Sequence, residues 1–184
     1  GHGTHIAGIL GCREVDDAGG HPSVGMASMS HASMLLIQDV VDGSEWKEPE
    51  VDYLLAEAFE YGAVIHSDSW GDVDESYTPR SALFDRWSVE VPWSLAFIAP
   101  GNNRAAFYEP ANARNVVAVG GSTRDAGLDV MSSSARGPSE DGLRGIFVVA
   151  PGVGIESARS DGEQESFNNA SRTRTGTSFS TPAA

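Results

Sequence analysis

Lysine and cysteine are almost missing from these 184 residues, with Lys47 and Cys12 as the single examples. A lone cysteine excludes an internal disulfide, and the Cys12 thiol is expected to act as a small buried apolar group. Basic residues number only 12 against 26 acidic ones. The resulting net charge of −14 repels a phosphate backbone and excludes nucleic acid as a partner. Acidic side chains crowd Glu45 to Asp52, Asp68 to Glu75 and Asp161 to Glu165, a pattern of a solvated acidic surface that salt adaptation or cation binding also fits. No apolar run approaches the roughly 18 residues needed to span a bilayer, so no membrane segment is read in this chain, and no basic-then-apolar signal sequence opens it. The first residues, GHGTHIAGIL, begin mid-pattern without methionine, and the last, GTSFSTPAA, stop where a helix should be starting. The sequence therefore reads as truncated at both ends.

What is present is enough hydrophobic content, 40%, to bury a core in one α/β domain. Short apolar runs at Met34–Val40, Ala63–Ser69, Ser94–Ala99, Val116–Val119 and Ile146–Ala150 are bounded by Gly, Pro, Asn or Asp, as buried strands would be. Between them, Glu50–Tyr61 carries apolar residues at helical spacing before the stop signal of Gly62, and Ser81–Val89 is a weaker helix. Alternating strands and helices predict a mostly parallel sheet covered on both faces, with functional loops after Ser69 and Ala99 at the carboxyl ends of strands. Gly11–Ser33 and Thr123–Leu143 are rich in Gly, Ser and Asp and read as surface connections, with no repeat or linker marking a second domain.

Two segments carry chemistry, His2-Gly3-Thr4-His5 at the start and Gly176-Thr177-Ser178 near the end, each followed by a helical pattern. A serine hydroxyl needs an imidazole within hydrogen-bond reach to become a nucleophile at neutral pH. A helix amino terminus adds N–H groups and positive potential for a developing oxyanion. Taken singly, Ser178 also fits a helix cap, His2 a surface or core histidine, and Asn102 a left-handed turn residue in Gly-Asn-Asn.

The segments HGTHIAG, APGN and GTSFSTP occur in the order found in subtilisin-like serine proteases, the subtilases, and this sequence resembles that family across nearly its whole length. Gly25-Met26-Ala27, HSDSWG at His66–Gly71, NVVAVGG at Asn115–Gly121 and Ala150-Pro151-Gly152 agree with the same pattern. HSDSWG, with Asp141-Gly142 ahead of the APG, is most similar to the branch containing the oxidatively stable alkaline proteases. The resemblance implies a three-layer subtilisin-like α/β fold, mostly parallel in its central sheet with helices on both faces, truncated at both ends. Residues 1–184 would be a partial peptidase catalytic domain, a serine endopeptidase acting on polypeptide substrates.

In that resemblance His2 is general base and then general acid, Ser178 the nucleophile and Asn102 an oxyanion donor. Ser69, Trp70 and Gly71 would receive substrate as an added strand, and Ala99, Pro100 and Gly101 would line the primary specificity pocket. Pro100 departs from the small residue expected there. Asp68 stands where the branch more often has asparagine, and its carboxylate would hydrogen-bond quietly, titrate abnormally or favour basic substrates. Phe179 follows the nucleophile where many relatives have an oxidisable methionine, which implies peroxide resistance at this position. The orienting aspartate precedes the histidine in the subtilase order, where only Gly1 stands here, and Asp16 and Asp17 come too late to replace it. The fragment alone is accordingly expected to be inactive.

A zinc site on His2 and His5 lacks the intervening glutamate of a metalloprotease helix, so His5 is expected to pack or hydrogen-bond behind the active site. An α/β-hydrolase elbow, G-x-S-x-G, is also absent. The remaining alternative is an inactive subtilase-like domain that binds peptides. The chemistry requires no cofactor; structural calcium fits the acidic loops and the resemblance, but no segment has a dedicated calcium-loop pattern and the metal ligands stay unassigned. The resemblance further implies secretion and an inhibitory propeptide in the full-length protein.

Overall fold

The structure is a computed structural model that describes residues 1–12, 28, 30–42, 45–47, 50–125, 129–142, 144–163, 165, 166, 168 and 170–184. Asp16, Asp17, Gly25, Met26 and Ala27 lie outside the described residues. The chain runs α1 (His2–Gly11), a short hairpin β1 (Val41–Asp42) and β2 (Glu45–Trp46), α2 (Val51–Glu60), β3 (Ile65–Asp68), α3 (Pro79–Glu90), β4 (Leu95–Ile98), β5 (Val117–Ser122) and β6 (Val148–Pro151). It continues through β7 (Ile155–Ala158), β8 (Ser171–Arg174) and α4 (Thr177–Ser180), with a 3₁₀ turn at Thr181–Ala183.

Strands β3 to β6 form a four-stranded sheet in sequence order, and every pairing is parallel. The β3–β4 crossover carries α3 over a face of the sheet, whereas among the described residues no helix lies between β4 and β5 or between β5 and β6. Helix α2 follows from one apolar stripe: Val51, Leu54, Leu55 and Ala58 are buried, and Gly62, at φ 82°, ends the turn in a conformation glycine adopts freely. Helix α3 begins two residues earlier than the apolar pattern indicates. Thr78 accepts from the Ser81 N–H, and Pro79 fills a first-turn position where no N–H is needed.

Helices α2 and α3 pack on each other, and Val51, Leu55 and Phe84 form the main core with Ile98, Phe107 and Ala118. Along β5 the side chains alternate. Ala118 joins this core, whereas a Cβ at Gly121 would meet Ser180 of α4 on the opposite face. Helices therefore cover both faces, with α1 against α4 and β7.

The segment Met34–Val40, expected as a strand, lies outside the named strands, and Met34 and Ile37 are 97% and 64% exposed. A strand exists only through a ladder of pairing bonds, and among the described residues this run has just the bond from the Lys47 N–H to the Val40 carbonyl at 3.0 Å, at its end. The antiparallel pair β7–β8 gives no such apolar signal, because Ser171–Arg174 is polar and largely exposed.

Candidate active site

The sheet sets the site's geometry by register. Asp68 at the end of β3 lies opposite Ile98 at the end of β4, and the Ala99 N–H donates to the Asp68 carbonyl at 3.0 Å. Ser69-Trp70-Gly71 and Ala99-Pro100-Gly101-Asn102 thus leave neighbouring strand ends side by side, as the sequence pattern implies. Ser69 Oγ donates to the Ser178 carbonyl at 2.7 Å, fastening the first of these segments to α4.

Asn102 is held by the residue before the serine. The Thr177 N–H donates to Asn102 Oδ1 at 2.8 Å, and Thr177 Oγ stands 3.2 Å from the Gly101 carbonyl and 3.3 Å from the same Oδ1. With its oxygen committed, the amide leaves Nδ2 as an available donor on an exposed side chain beside Gly176. Gly101 has φ 108°, so the turn that delivers Asn102 requires glycine. Ser178 is half-buried, and its hydroxyl makes no hydrogen bond among the described residues.

His2 reaches the same place from the opposite end of the sequence. Its ring centroid lies 5.5 Å from that of Phe179, the neighbour of Ser178, and the His5 ring meets the same phenyl edge-on at 4.7 Å. His5 is fully buried and its Nε2–H donates to the carbonyls of Arg172 at 2.8 Å and Ile155 at 3.1 Å. That pairing ties the first turn of α1 to both strands of the β7–β8 hairpin and meets the expectation of a hydrogen-bonding role for His5. Ser157 Oγ adds a bond to the His5 carbonyl at 2.8 Å.

The His2 side chain is exposed by surface area, yet the protein packed around it partly desolvates the ring, which is the main cause that lowers its pKa, and the positive charge of Arg174 lowers it further. A neutral imidazole is the form that accepts a serine proton. Sequence reasoning missed both Arg174 and the Phe179 contact, and no local signal marks either, since they arise only when the hairpin and α4 close on α1.

The other cleft residues divide. Pro100 is fully buried and Ala99 nearly so, while Trp70 is half-buried. Gly71 has a reason for lacking a side chain within the protein itself, because a Cβ there would run into the Glu109 carbonyl. Glu109 in turn pairs with Arg80 in a buried ion pair. Asp68 is 6% exposed, and burial pushes its carboxyl up to about 7, opposed by the hydrogen bond from Trp70 Nε1 at 3.0 Å. Among the described residues no group of three or more His, Cys, Asp or Glu side chains is arranged to hold a metal.

The profile of the subtilase family matches residues 1–184. The chain belongs to the subtilase family. This subtilase chain is 29% identical over 188 residues to an alkaline proteinase of Hapsidospora chrysogena, covering 99% of the chain and 40% of that protein. It is 28% identical over 129 residues to the serine protease/ABC transporter B family protein tagB of Dictyostelium discoideum, covering 65% of the chain and 7% of that protein. Its fold is similar to that of the prenylagaramide maturation protease PagA, with a TM-score of 0.74 at 24% identity over 99% of this chain and 60% of the other. Sphericase gives 0.69 at 22% identity, over 100% of this chain and 60% of its own. The subtilase chain thus spans less than two thirds of the length of these relatives.

Proposed function

We propose that this chain is the histidine-, asparagine- and serine-bearing part of a serine endopeptidase. The observation that carries the reading is the bond from the Thr177 N–H to Asn102 Oδ1, because it turns Nδ2 into a fixed donor beside the residue that follows Thr177. An oxyanion donor must be oriented before charge develops, and its value in a preorganised site is about 10²–10³ in kcat.

In this reading neutral His2 takes the proton of Ser178 Oγ as that oxygen attacks the scissile carbonyl carbon. The electron pair of the C=O bond moves to oxygen, where Asn102 Nδ2 and the Ser178 N–H donate to it. Collapse of the tetrahedral adduct breaks the C–N bond, and the imidazolium gives its proton to the departing amine. Water then repeats the sequence on the acyl-enzyme, with His2 again as base. The aspartate that would orient His2 comes from outside these 184 residues, and the fragment without it is expected to be inactive. Losing such a carboxylate costs about 3 × 10⁴ in kcat in enzymes of this kind.

Ser69, Trp70 and Gly71 serve as the edge along which a polypeptide substrate lies, with Ala99, Pro100 and Gly101 as the adjoining wall. Because Pro100 is buried, it acts on the pocket through its backbone rather than through an exposed ring. Secretion and an inhibitory propeptide in the full-length protein accompany this reading by family resemblance, and the alkaline proteinase relative supports the peptidase activity alone. Hydrolysis of casein by the full-length protein, and by its Ser178→Ala variant, tests the function. Turnover that disappears with the hydroxyl supports it. A folded full-length protein that binds peptide without cleaving it would make this a binding domain instead.

A further inference from the structure

The wall beside the nucleophile contains a buried acid that acyl transfer does not use. On β3 the side chains of His66 and Asp68 are buried, while Ile65 is 66% exposed. Asp68 Oδ1 accepts from Trp70 Nε1 at 3.0 Å, and Asp68 Oδ2 is buried with no hydrogen-bond partner among the described residues. Trp70 is hemmed in by ring contacts, with centroids 6.3 Å from Phe84 and 6.1 Å from Trp46. On either side the backbone is pinned, by the bond of Ser69 to the Ser178 carbonyl and by the approach of Gly71 to the Glu109 carbonyl. Among the described residues the bond to Asp68 is the one side-chain hydrogen bond of the indole, which is otherwise held by apolar ring contacts.

We propose that Asp68 is a positioning residue for substrate binding: its carboxyl holds the Trp70 indole in the cleft wall, and loss of its proton loosens that wall. This proposal rests on the peptidase reading only for its effect on substrate. In the neutral form the carboxyl suits a dry site and still offers an oxygen to the indole N–H; ionisation strengthens that one bond, as its opposition to the raised pKa shows, but the desolvation of the buried charge outweighs it. Ionisation creates a charge with a bare Oδ2 beneath the wall, and a buried unpaired carboxylate draws in water or a counter-ion at the expense of packing.

The charged neighbours do not supply that counter-ion. His66, on the same strand face, is itself pushed by burial toward the neutral form, and its Nε2 has no partner among the described residues. The Arg80 guanidinium of α3 stands over the Trp70 ring at 5.8 Å but is paired with Glu109. Neither β4 nor the Thr181–Ala183 turn, both packed against β3, carries a charged side chain. Burial accordingly places the Asp68 transition at about 7, away from ordinary carboxylates.

The test follows tryptophan fluorescence and the hydrolysis of an uncharged tetrapeptide p-nitroanilide by the full-length protein across the neutral range. The proposal expects a fluorescence step and a rise of about three- to tenfold in KM with increasing pH, both with a midpoint near 7, and no matching step in kcat. Asp68→Asn keeps an acceptor for the indole without the ionisation, so both steps should vanish. Trp70→Phe should abolish the fluorescence step, assigning it to this indole. A step in fluorescence or KM that survives Asp68→Asn overturns the proposal. Failure of turnover together with an Asp68-dependent fluorescence step would sink the peptidase reading and leave the Asp68–Trp70 pair standing.

Discussion

Exchanging Asn102 for aspartate separates the two jobs of its side chain. The structure gives Oδ1 to the Thr177 N–H at 2.8 Å and leaves Nδ2 beside Gly176, so Asn102→Asp keeps the acceptor that orders Thr177 while deleting the donor. Loss of one preorganised oxyanion donor costs about 2.7–4 kcal/mol of transition-state stabilisation, or about 10²–10³ in kcat. The interaction strengthens only as the oxyanion forms, so KM should change by less than about threefold. Asn102→Ala deletes the acceptor as well, and should add a stability loss of about 1 kcal/mol from the stranded Thr177 N–H. The assay is steady-state hydrolysis of a peptide anilide by the full-length protein, with urea denaturation of each variant. An Asn102→Asp enzyme within about threefold of the wild-type kcat would refute the assignment of Nδ2 to the oxyanion.

Other consequences follow from the same contacts. Arg174→Gln removes a positive charge that lowers the His2 pKa, so the acid limb of kcat/KM should move to higher pH; an unmoved or lowered limb would contradict the placement of Arg174 beside His2. Phe179 is 5% exposed and touches both His2 and His5, so Phe179→Ala should cost about 3–5 kcal/mol in urea denaturation, and a loss below about 1 kcal/mol would deny that it is core. Phe179→Met should make the full-length enzyme lose activity in peroxide faster than the wild type, which equal inactivation rates would disprove. Glu109→Gln takes away the buried carboxylate that pairs with Arg80 and should destabilise by about 3–5 kcal/mol, whereas a near-neutral result would mean that the pair is solvated.

The parallel sheet and helix α2 are legible because their apolar residues follow the periods of buried strands and of a one-faced helix, whereas α3 buries Arg80 and Ser81 beside Phe84 and shows only a weak apolar pattern. Leu54, Leu55 and Ala58 mark α2 in the sequence as they do in the core. Met34–Val40 has the same apolar character and is still no strand, since pairing depends on a neighbour and not on the run itself. The hairpin β7–β8 shows the converse, with Ser171–Arg174 paired by backbone bonds that polar side chains do not advertise. At the site, motif order marks His2, Asn102 and Ser178 as the candidates, whereas it does not mark the residues packed around them. The His5 bonds to Arg172 and Ile155 join residues at opposite ends of the chain, and the Arg174 charge reaches His2 only through that closure. Asp68 stands out in the sequence as a carboxylate in an asparagine position, but the lack of a partner for its Oδ2 among the described residues is a property of packing alone.

Reaction of the full-length protein with a fluorophosphonate probe, followed by mapping of the labelled residue, tests the central claim most directly. The account predicts covalent labelling at Ser178 that is lost in His2→Ala, because the hydroxyl reacts only when the imidazole takes its proton. Labelling of Ser178 that persists undiminished without His2, or a folded full-length protein that takes no label, would contradict it.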